Sequence, residues 1–205
     1  MRSVLRLSLA LVAASVFSGS AFAQAANTDF SKIEILSQQM GPNLYMLSGS
    51  AGTDPNHEDA AGGRIGILAG PDGIFMVDTQ YGQLSDKVLA AIRKISPAPI
   101  RFITNTHIHI DHTGGNANFV KMGATLIARE ELREEGLHPP GNARPREIPS
   151  MPSVTYGLGE PIKFHMNGEI VELIPVRAAH TGGDTMIRFE NANVIMIGDF
   201  YRNYG

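Results

Sequence analysis

The chain has 205 residues, a formal net charge of −3 and no cysteine. A chain of this length can bury a hydrophobic core of its own as one domain. Its mild acidity, without a basic cluster, argues against nucleic acid as a partner. The lack of cysteine excludes disulfides and thiolate ligands, so any metal site would use nitrogen and oxygen ligands.

The N-terminus has the composition of a cleavable secretory signal. A basic start precedes an apolar run from Leu7 to Phe17, and small residues follow that run. The run is about half as long as a membrane-spanning helix requires. We therefore expect a signal peptide over residues 1–23 with cleavage after Ala23, or alternatively after Ala25, a linker over 24–31 and one domain over 32–205. The mature protein is expected to be periplasmic or secreted, without a membrane anchor.

Apolar periodicity and turn residues predict strands first, a βα alternation in the middle and strands again at the end. The predicted strands cover residues 33–40, 44–50, 64–70, 74–79, 100–106, 125–129, 154–156, 161–166, 169–176, 185–189 and 193–197. The predicted helices cover 83–95, 114–122 and 130–135, and the predicted long loops cover 49–63 and 137–152. This order predicts an α/β (α+β layered) domain, with mixed sheets covered by helices.

The stretch T-H-I-H-I-D-H-T-G-G, residues 106–115, holds three of the seven histidines of the chain. In an extended segment His107, His109 and Asp111 would point to one side, and the intervening isoleucines would face the core. His112 would approach from another direction, because the two following glycines permit a sharp turn. Imidazoles and a carboxylate that converge in this way suit zinc and similar divalent metals.

Other strand ends offer further ligands, and two metals are implied, because one zinc takes three nitrogens and a water. His180, in A-A-H-T-G-G-D, follows a predicted strand and is the best candidate for a third histidine. Asp199, in I-G-D-F, follows another strand and could bridge two metals. Asp78 ends a further strand, where a carboxylate more often holds a ligand histidine by its free ring nitrogen than contacts the metal.

The remaining histidines and one arginine are not expected to bind metal. His57 is expected to be solvated in the first long loop, although it could contact substrate. His138 and His165 are interpreted as loop residues or satisfied core residues. Arg177 lies near His180 and could pair with a substrate carboxylate, but a surface salt bridge is the default expectation.

These motifs resemble those of the metallo-β-lactamase superfamily. T-H-I-H-I-D-H-T-G-G matches its H-x-H-x-D-H signature, and V-D-T, A-H-T-G-G-D and G-D-F occur in the order of the family. The resemblance implies a four-layer αβ/βα sandwich with the metals at one edge between the sheets. It also implies six ligands: His107, His109 and His180 for a first zinc, Asp111 and His112 for a second, and Asp199 as the bridge.

The chain departs from the family pattern in two ways. The family supplies one more second-site histidine after the position of Asp199, and this chain has no histidine after His180. We therefore expect a C-terminally truncated member whose second metal site is incomplete. The chain also lacks the cysteine ligand of one lactamase subclass and carries His112, so it is expected outside that subclass. An aspartate at the bridging position is more typical of related thioester hydrolases, lactonases and esterases.

The resulting prediction is an exported zinc hydrolase, β-lactamase-like, that uses a metal-bound hydroxide to open an amide, ester, lactone or thioester bond. Asp111 would be the catalytic residue, orienting the hydroxide and accepting its proton. Export favours a β-lactam or a lactone over a cytosolic glutathione thioester as the small-molecule substrate. Two alternatives remain open: a mononuclear iron persulfide dioxygenase of the same superfamily and a non-catalytic metal-binding fragment.

Overall fold

The computed structural model describes residues 28–50 and 62–200. The predicted signal peptide, half of the predicted linker, most of the loop 49–63 and His57 lie outside the described residues. The described strands are β1 (Ile35–Gln39), β2 (Leu44–Gly49), β3 (Ile65–Gly70), β4 (Gly73–Val77), β5 (Ile100–Thr104), β6 (Thr125–Arg129), β7 (Val154–Tyr156), β8 (Ile162–Met166), β9 (Glu169–Pro175), β10 (Thr185–Phe189) and β11 (Val194–Met196). The described helices are α1 (Ser85–Ile95), α2 (Ile110–Thr113), α3 (Asn116–Val120) and α4 (Glu130–Leu137), with 3₁₀ turns at Gly82–Leu84 and Ile148–Ser150. Within the described ranges, none of these helices is long and apolar enough to cross a membrane.

The strands form two sheets. β1 to β7 make the first sheet in chain order, antiparallel from β1 to β4 and parallel from β4 to β7. The direction changes where α1 connects β4 to β5, since parallel neighbours need a crossover connection. β8 to β11 make the second, antiparallel sheet. All the predicted strands are present to within a few residues, and the predicted fold class is confirmed.

The first sheet separates two hydrophobic cores. On β4, Ile74 and Met76 belong to the core that the apolar stripe of α1 covers. Phe75 and Val77 belong to the core shared with the second sheet. All four side chains are completely buried, so β4 is apolar throughout because both of its faces are covered. The layers are therefore helices, first sheet and second sheet.

A polar clasp joins the two sheets at the N-terminal end of β4. The Asp72 backbone N–H donates to Asn167 Oδ1 at 2.9 Å, and the Asn167 N–H donates to Asp72 Oδ2 at 2.6 Å. Asn43 donates from its amide to the carbonyl oxygen of Asn167 at 2.6 Å. The clasp fixes the turn between β8 and β9 against the first sheet, at the end of β4 opposite Asp78.

The histidine-rich stretch is not extended throughout, so that part of the prediction is wrong. Residues 105–109 are irregular, and α2 begins at Ile110. Ile108 packs in a small separate cluster, whereas Ile110 contacts the core beneath α1. Asp111 and His112 are consequently presented by a helical turn and not by strand alternation.

The two glycines of the stretch serve close packing and not the predicted conformational freedom. Gly114 and Gly115 have φ values of −61° and −84°, which any residue adopts. A Cβ on Gly114 would lie 2.8 Å from the Gly82 backbone nitrogen, and one on Gly115 would lie 2.5 Å from the Thr79 carbonyl oxygen. Glycine at both positions therefore lets the stretch pack directly against the segment that follows β4.

Candidate metal centre

Three histidine side chains meet beyond the C-terminal end of β5. His107 Nε2 lies 3.2 Å from His109 Nδ1, and His180 Nε2 lies 2.9 Å from the same atom. His107 and His109 come from the irregular segment after β5, whereas His180 comes from the loop after β9. A tetrahedral zinc with Zn–N bonds of about 2.05 Å holds its ligand nitrogens about 3.3 Å apart. The three nitrogens therefore have the spacing of the ligands of one zinc ion.

A second group of possible ligands adjoins the first. It consists of His107, His112 and Asp199, whose ligand atoms lie within 4.8 Å of one another. Asp199 thus lies near His107, the histidine that both groups share, and its role as a bridge stays a prediction. Asp111 belongs to neither group of three, but its carboxylate lies 3.6 Å from His112 Nε2. The structure therefore brings all the predicted ligand residues to one place, with Asp111 at the edge.

The state of His112 fits a cation at the second position. Its Nε2 lies 3.3 Å from the Asp199 carboxylate, yet it is buried and makes no hydrogen bond of acceptable geometry with any described residue. A buried polar atom without a partner is costly and rare in folded proteins. An imidazole nitrogen facing two carboxylates is a donor set that suits a divalent cation.

Asp78 orients two of these histidines, His112 directly and His107 through Thr106. Its carboxylate accepts hydrogen bonds from the N–H and the hydroxyl of Thr106, each at 2.8 Å, and lies 2.8 Å from His112 Nδ1. The Thr106 oxygen lies 3.0 Å from His107 Nδ1. With its proton donated to Asp78, the Thr106 hydroxyl can accept from His107 Nδ1. Both imidazoles then carry their proton on Nδ1 and turn Nε2 toward the metal positions.

The segment after β4 has a strained backbone that braces the centre. Asp78 and Gln80 have φ values of +61° and +60°, in the left-handed region that non-glycine residues rarely adopt. Between them, the Thr79 N–H donates to the His112 carbonyl oxygen at 2.8 Å, and the Gln80 carbonyl oxygen accepts from Gly115 at 3.0 Å. Strain of this kind persists where the surrounding contacts impose it, and it clusters at functional sites.

The local electrostatics favour the metal-binding form of two of the histidines, His107 and His109. Burial lowers the pKa of His107 and of His109, and the neighbouring histidines lower it further, so both are neutral imidazoles. Neutral imidazole is the form that ligates metals. Burial acts in the same direction on His112, but the carboxylates of Asp78 and Asp199 outweigh it and raise the pKa of His112. The second position is therefore the more negatively charged of the two.

The sequence analysis missed four contacts that shape the centre. A Cβ on Gly62 would overlap the Asp111 carboxylate, and a Cβ on Gly63 would overlap the His112 ring. Gln80 donates a hydrogen bond from its amide to the Gly63 carbonyl oxygen, which holds this backbone in place. The sequence signal for the contacts of Gly62 and Gly63 is that they form a glycine pair one residue before β3. Arg146, in the predicted loop 137–152, donates to the Ile108 carbonyl oxygen at 2.7 Å and so braces the stretch from the other side.

The other polar residues considered from the sequence lie apart from the centre. His138 is exposed and lies 3.2 Å from the Glu134 carboxylate, and His165 is an exposed residue of β8. Arg177 is exposed and forms no ion pair with any residue in the described part of the chain, so the expected salt bridge is absent there.

Replacing Gly63 by alanine is expected to weaken binding at the second metal position by roughly tenfold to a hundredfold. The reason is that the new Cβ needs the space of the His112 ring. Metal affinity and metal content per chain, measured by elemental analysis after dialysis, check this. Gly157→Ala is the control, because a Cβ there meets nothing within 4 Å. Equal metal retention by both variants would contradict the prediction.

Comparison with known proteins gives one family and several relatives. The sequence model of the Metallo-beta-lactamase superfamily matches residues 61–203. A linear primary-alkylsulfatase of Pseudomonas sp. (strain ATCC 19151) is 32% identical over 129 residues, which are 59% of this chain and 24% of that protein. The alpha subunit of a 2,4-dinitroanisole O-demethylase of Nocardioides sp. (strain JS1661) is 28% identical over 138 residues, 66% of this chain and 40% of that subunit.

The fold is also that of solved structures. A class B3 di-zinc metallo-beta-lactamase from an Alaskan soil metagenome superimposes with a TM-score of 0.63 at 18% sequence identity, covering 80% of this chain and 60% of that one. The chain spans less than two thirds of the length of this enzyme and of both curated relatives.

Proposed function

The chain belongs to the metallo-β-lactamase superfamily, and we propose that it is a zinc-dependent hydrolase that opens an amide, ester, lactone or thioester bond of a small molecule. One observation carries the proposal. The ring nitrogens of His107, His109 and His180 converge at 2.9 to 3.2 Å, and the second group with His112 and Asp199 lies directly beside them. Two adjacent cations held in this way suit hydrolysis of an ester or amide bond.

The residues of the chain have distinct proposed roles. His107, His109 and His180 hold the first cation, and His112 and Asp199 hold the second. Bound zinc supplies a Lewis acid that lowers the pKa of a water molecule toward neutrality.

Asp111 is the proposed general base of the reaction. It lies at the open edge of the second group, with its carboxylate 3.6 Å from His112 Nε2 and 13% of its side chain exposed. From there the carboxylate can orient the attacking water by a hydrogen bond and accept its proton. Asp78 keeps the Nδ1 proton of His112 in place during this transfer, because it is buried and already accepts three contacts.

Two further observations support a narrower substrate class. Similar proteins carry the names alkylsulfatase and metallo-beta-lactamase, which favour a small ester or a β-lactam as the substrate. The signal-type N-terminus favours a compound met outside the cytoplasm, so a periplasmic or secreted location is part of the proposal.

The second ligand group favours one alternative. Two histidines and one carboxylate, here His107, His112 and Asp199, are also the ligand set of non-haem iron oxygenases. A mononuclear iron dioxygenase that acts on persulfides is therefore the second candidate function. It differs from the hydrolase in the metal it needs and in its consumption of oxygen.

Metal analysis combined with turnover tests the proposal. The purified chain is expected to bind up to two zinc ions and to hydrolyse at least one class in a panel of β-lactams, lactones, alkyl sulfate esters and thioesters. Stripping the metal with a chelator should lower the rate at least about a thousandfold, and adding zinc should restore it. If the chain instead contains iron and consumes oxygen in the presence of a persulfide, the oxygenase function would replace the hydrolase function. Zinc binding without turnover of any class, or no metal binding, would overturn the proposal.

A further inference from the structure

A buried carboxylate organises the loop that carries His180. Asp184 is 2% exposed, and its Oδ2 accepts hydrogen bonds from the backbone N–H groups of Ala179 at 3.1 Å and His180 at 2.7 Å. The Thr181 N–H donates to both carboxylate oxygens, at 3.1 and 3.0 Å, and its hydroxyl donates to Oδ1 at 2.7 Å. Hydrogen bonds to an ionised acceptor are the strong ones, so this carboxylate fixes the main chain on both sides of His180.

The same loop packs against α4. A Cβ on Gly183 would lie 2.8 Å from the Leu132 backbone nitrogen and 3.0 Å from its Cβ. Gly183 therefore allows the loop to touch the backbone of the helix, and a larger residue would push the loop away from it. The contact places the main chain of the loop relative to the first sheet, because α4 directly follows β6.

Arg129 ties both ends of the loop to the first sheet. It is completely buried and donates from Nη1 to the carbonyl oxygens of Val176 at 2.8 Å and Asp184 at 3.3 Å. Its guanidinium also contacts both carboxylate oxygens of Glu131, at 3.0 and 2.6 Å. Since Arg129 ends β6, the strand ends before and after the His180 loop are bound to the sheet that carries His107 and His109.

We propose that Asp184 is a positioning residue that presets His180 for metal binding. It acts through the backbone of the loop and holds His180 Nε2 2.9 Å from His109 Nδ1 before a cation arrives. His107 and His109 follow a strand of the first sheet, whereas His180 follows β9 of the second sheet. The loop that carries His180 must therefore be held in place relative to the first sheet. Because the loop is already ordered in the folded chain, metal binding loses less conformational entropy, and the affinity for the metal is higher. The inference rests on the proposed metal centre and deepens it.

Asp184→Asn is the decisive variant, because an amide keeps the size of the side chain but cannot accept at both of its ends. We expect its zinc affinity at the first position to fall roughly tenfold to a hundredfold in competition with a chromophoric chelator. The visible absorption spectrum of the cobalt-substituted protein should also change, because it reports the geometry of the ligands. Thr181→Val removes one hydrogen bond to the carboxylate and should show the same effect in weaker form.

Glu169→Gln is the matched control. Its carboxylate also accepts backbone hydrogen bonds in the second sheet, from Ile170, Asn191 and Ala192, at the other end of β9. Both variants should melt at a lower temperature, but Glu169→Gln should keep the zinc affinity and the cobalt spectrum of the unaltered protein.

Two results would overturn the positioning role of Asp184. One is unchanged affinity and an unchanged spectrum in Asp184→Asn, and the other is an equal loss of affinity in Glu169→Gln. If Asp184→Asn does not fold, an unaltered affinity in Thr181→Val would have the same meaning. A failure of the unaltered chain to bind metal would instead overturn the proposed function.

Discussion

Replacing His109 by alanine is expected to lower kcat/KM by at least about a thousandfold, which corresponds to several kcal/mol of transition-state stabilisation. The Nδ1 atom of His109 is the one that both His107 and His180 approach, at 3.2 and 2.9 Å. Without it, two nitrogens remain, and a catalytic zinc needs three protein ligands. Rate measurements on the best substrate of the panel and zinc analysis of the variant check this, and the zinc content should fall with the rate.

His138→Ala is the matched control for the His109 variant. His138 is 74% exposed and contacts Glu134 on the surface of the chain, so its loss should leave the rate and the metal content unchanged. A His109 variant that kept a rate within tenfold of the unaltered protein at full zinc content would remove His109 from the centre. The first group of ligands would then have to be reassigned.

Replacing Asp78 by asparagine is expected to lower the free energy of unfolding by about 2–4 kcal/mol, even without metal. The carboxylate accepts from Thr106 twice and lies 2.8 Å from His112 Nδ1, and an amide cannot accept all three. At least one buried donor then loses its partner. Asparagine tolerates the φ of +61° at this position, so backbone strain does not account for the loss. Urea denaturation of the metal-free chain measures the difference.

The same variant should bind its second metal roughly tenfold to a hundredfold more weakly, because Asp78 sets the ring orientation of His112. Asp86→Asn is the control, since Asp86 is an exposed acid in the first turn of α1 and its loss costs no more than about 1 kcal/mol. If Asp78→Asn proved as stable as this control, the carboxylate would not be holding the two histidines.

Much of the fold was predictable because its signals are local. β4 and β5 are short apolar runs, α1 has helical spacing, and turn residues separate the strands. The candidate ligands were predictable for the same reason, since His180 and Asp199 each follow an apolar strand. Alternation of isoleucine with histidine and aspartate mimics a strand, and it misled the interpretation of residues 105–109.

The contacts of the site that could not be predicted join residues that lie far apart in the sequence. Arg146 reaches Ile108 across 38 positions, and the partners of Gly63 are set by the folded backbone. Asp184 is close in sequence to His180, but its role depends on burial and on Arg129, which lies 55 positions away. Neither burial nor such partners can be deduced from the local pattern around the histidine.

A cation in this centre would join the two sheets at the end opposite the Asn167–Asp72 clasp. His109 and His180 are 71 positions apart, so the ion would close a long loop in a chain that has no disulfide to do so. Because it binds the folded chain, the metal would also shift the folding equilibrium. Without it, hydrogen bonds such as those of Arg129 hold that edge, and its local opening, which exposes backbone to proteases, would be more frequent. Metal supply would then set the lifetime of the protein as well as its rate of turnover.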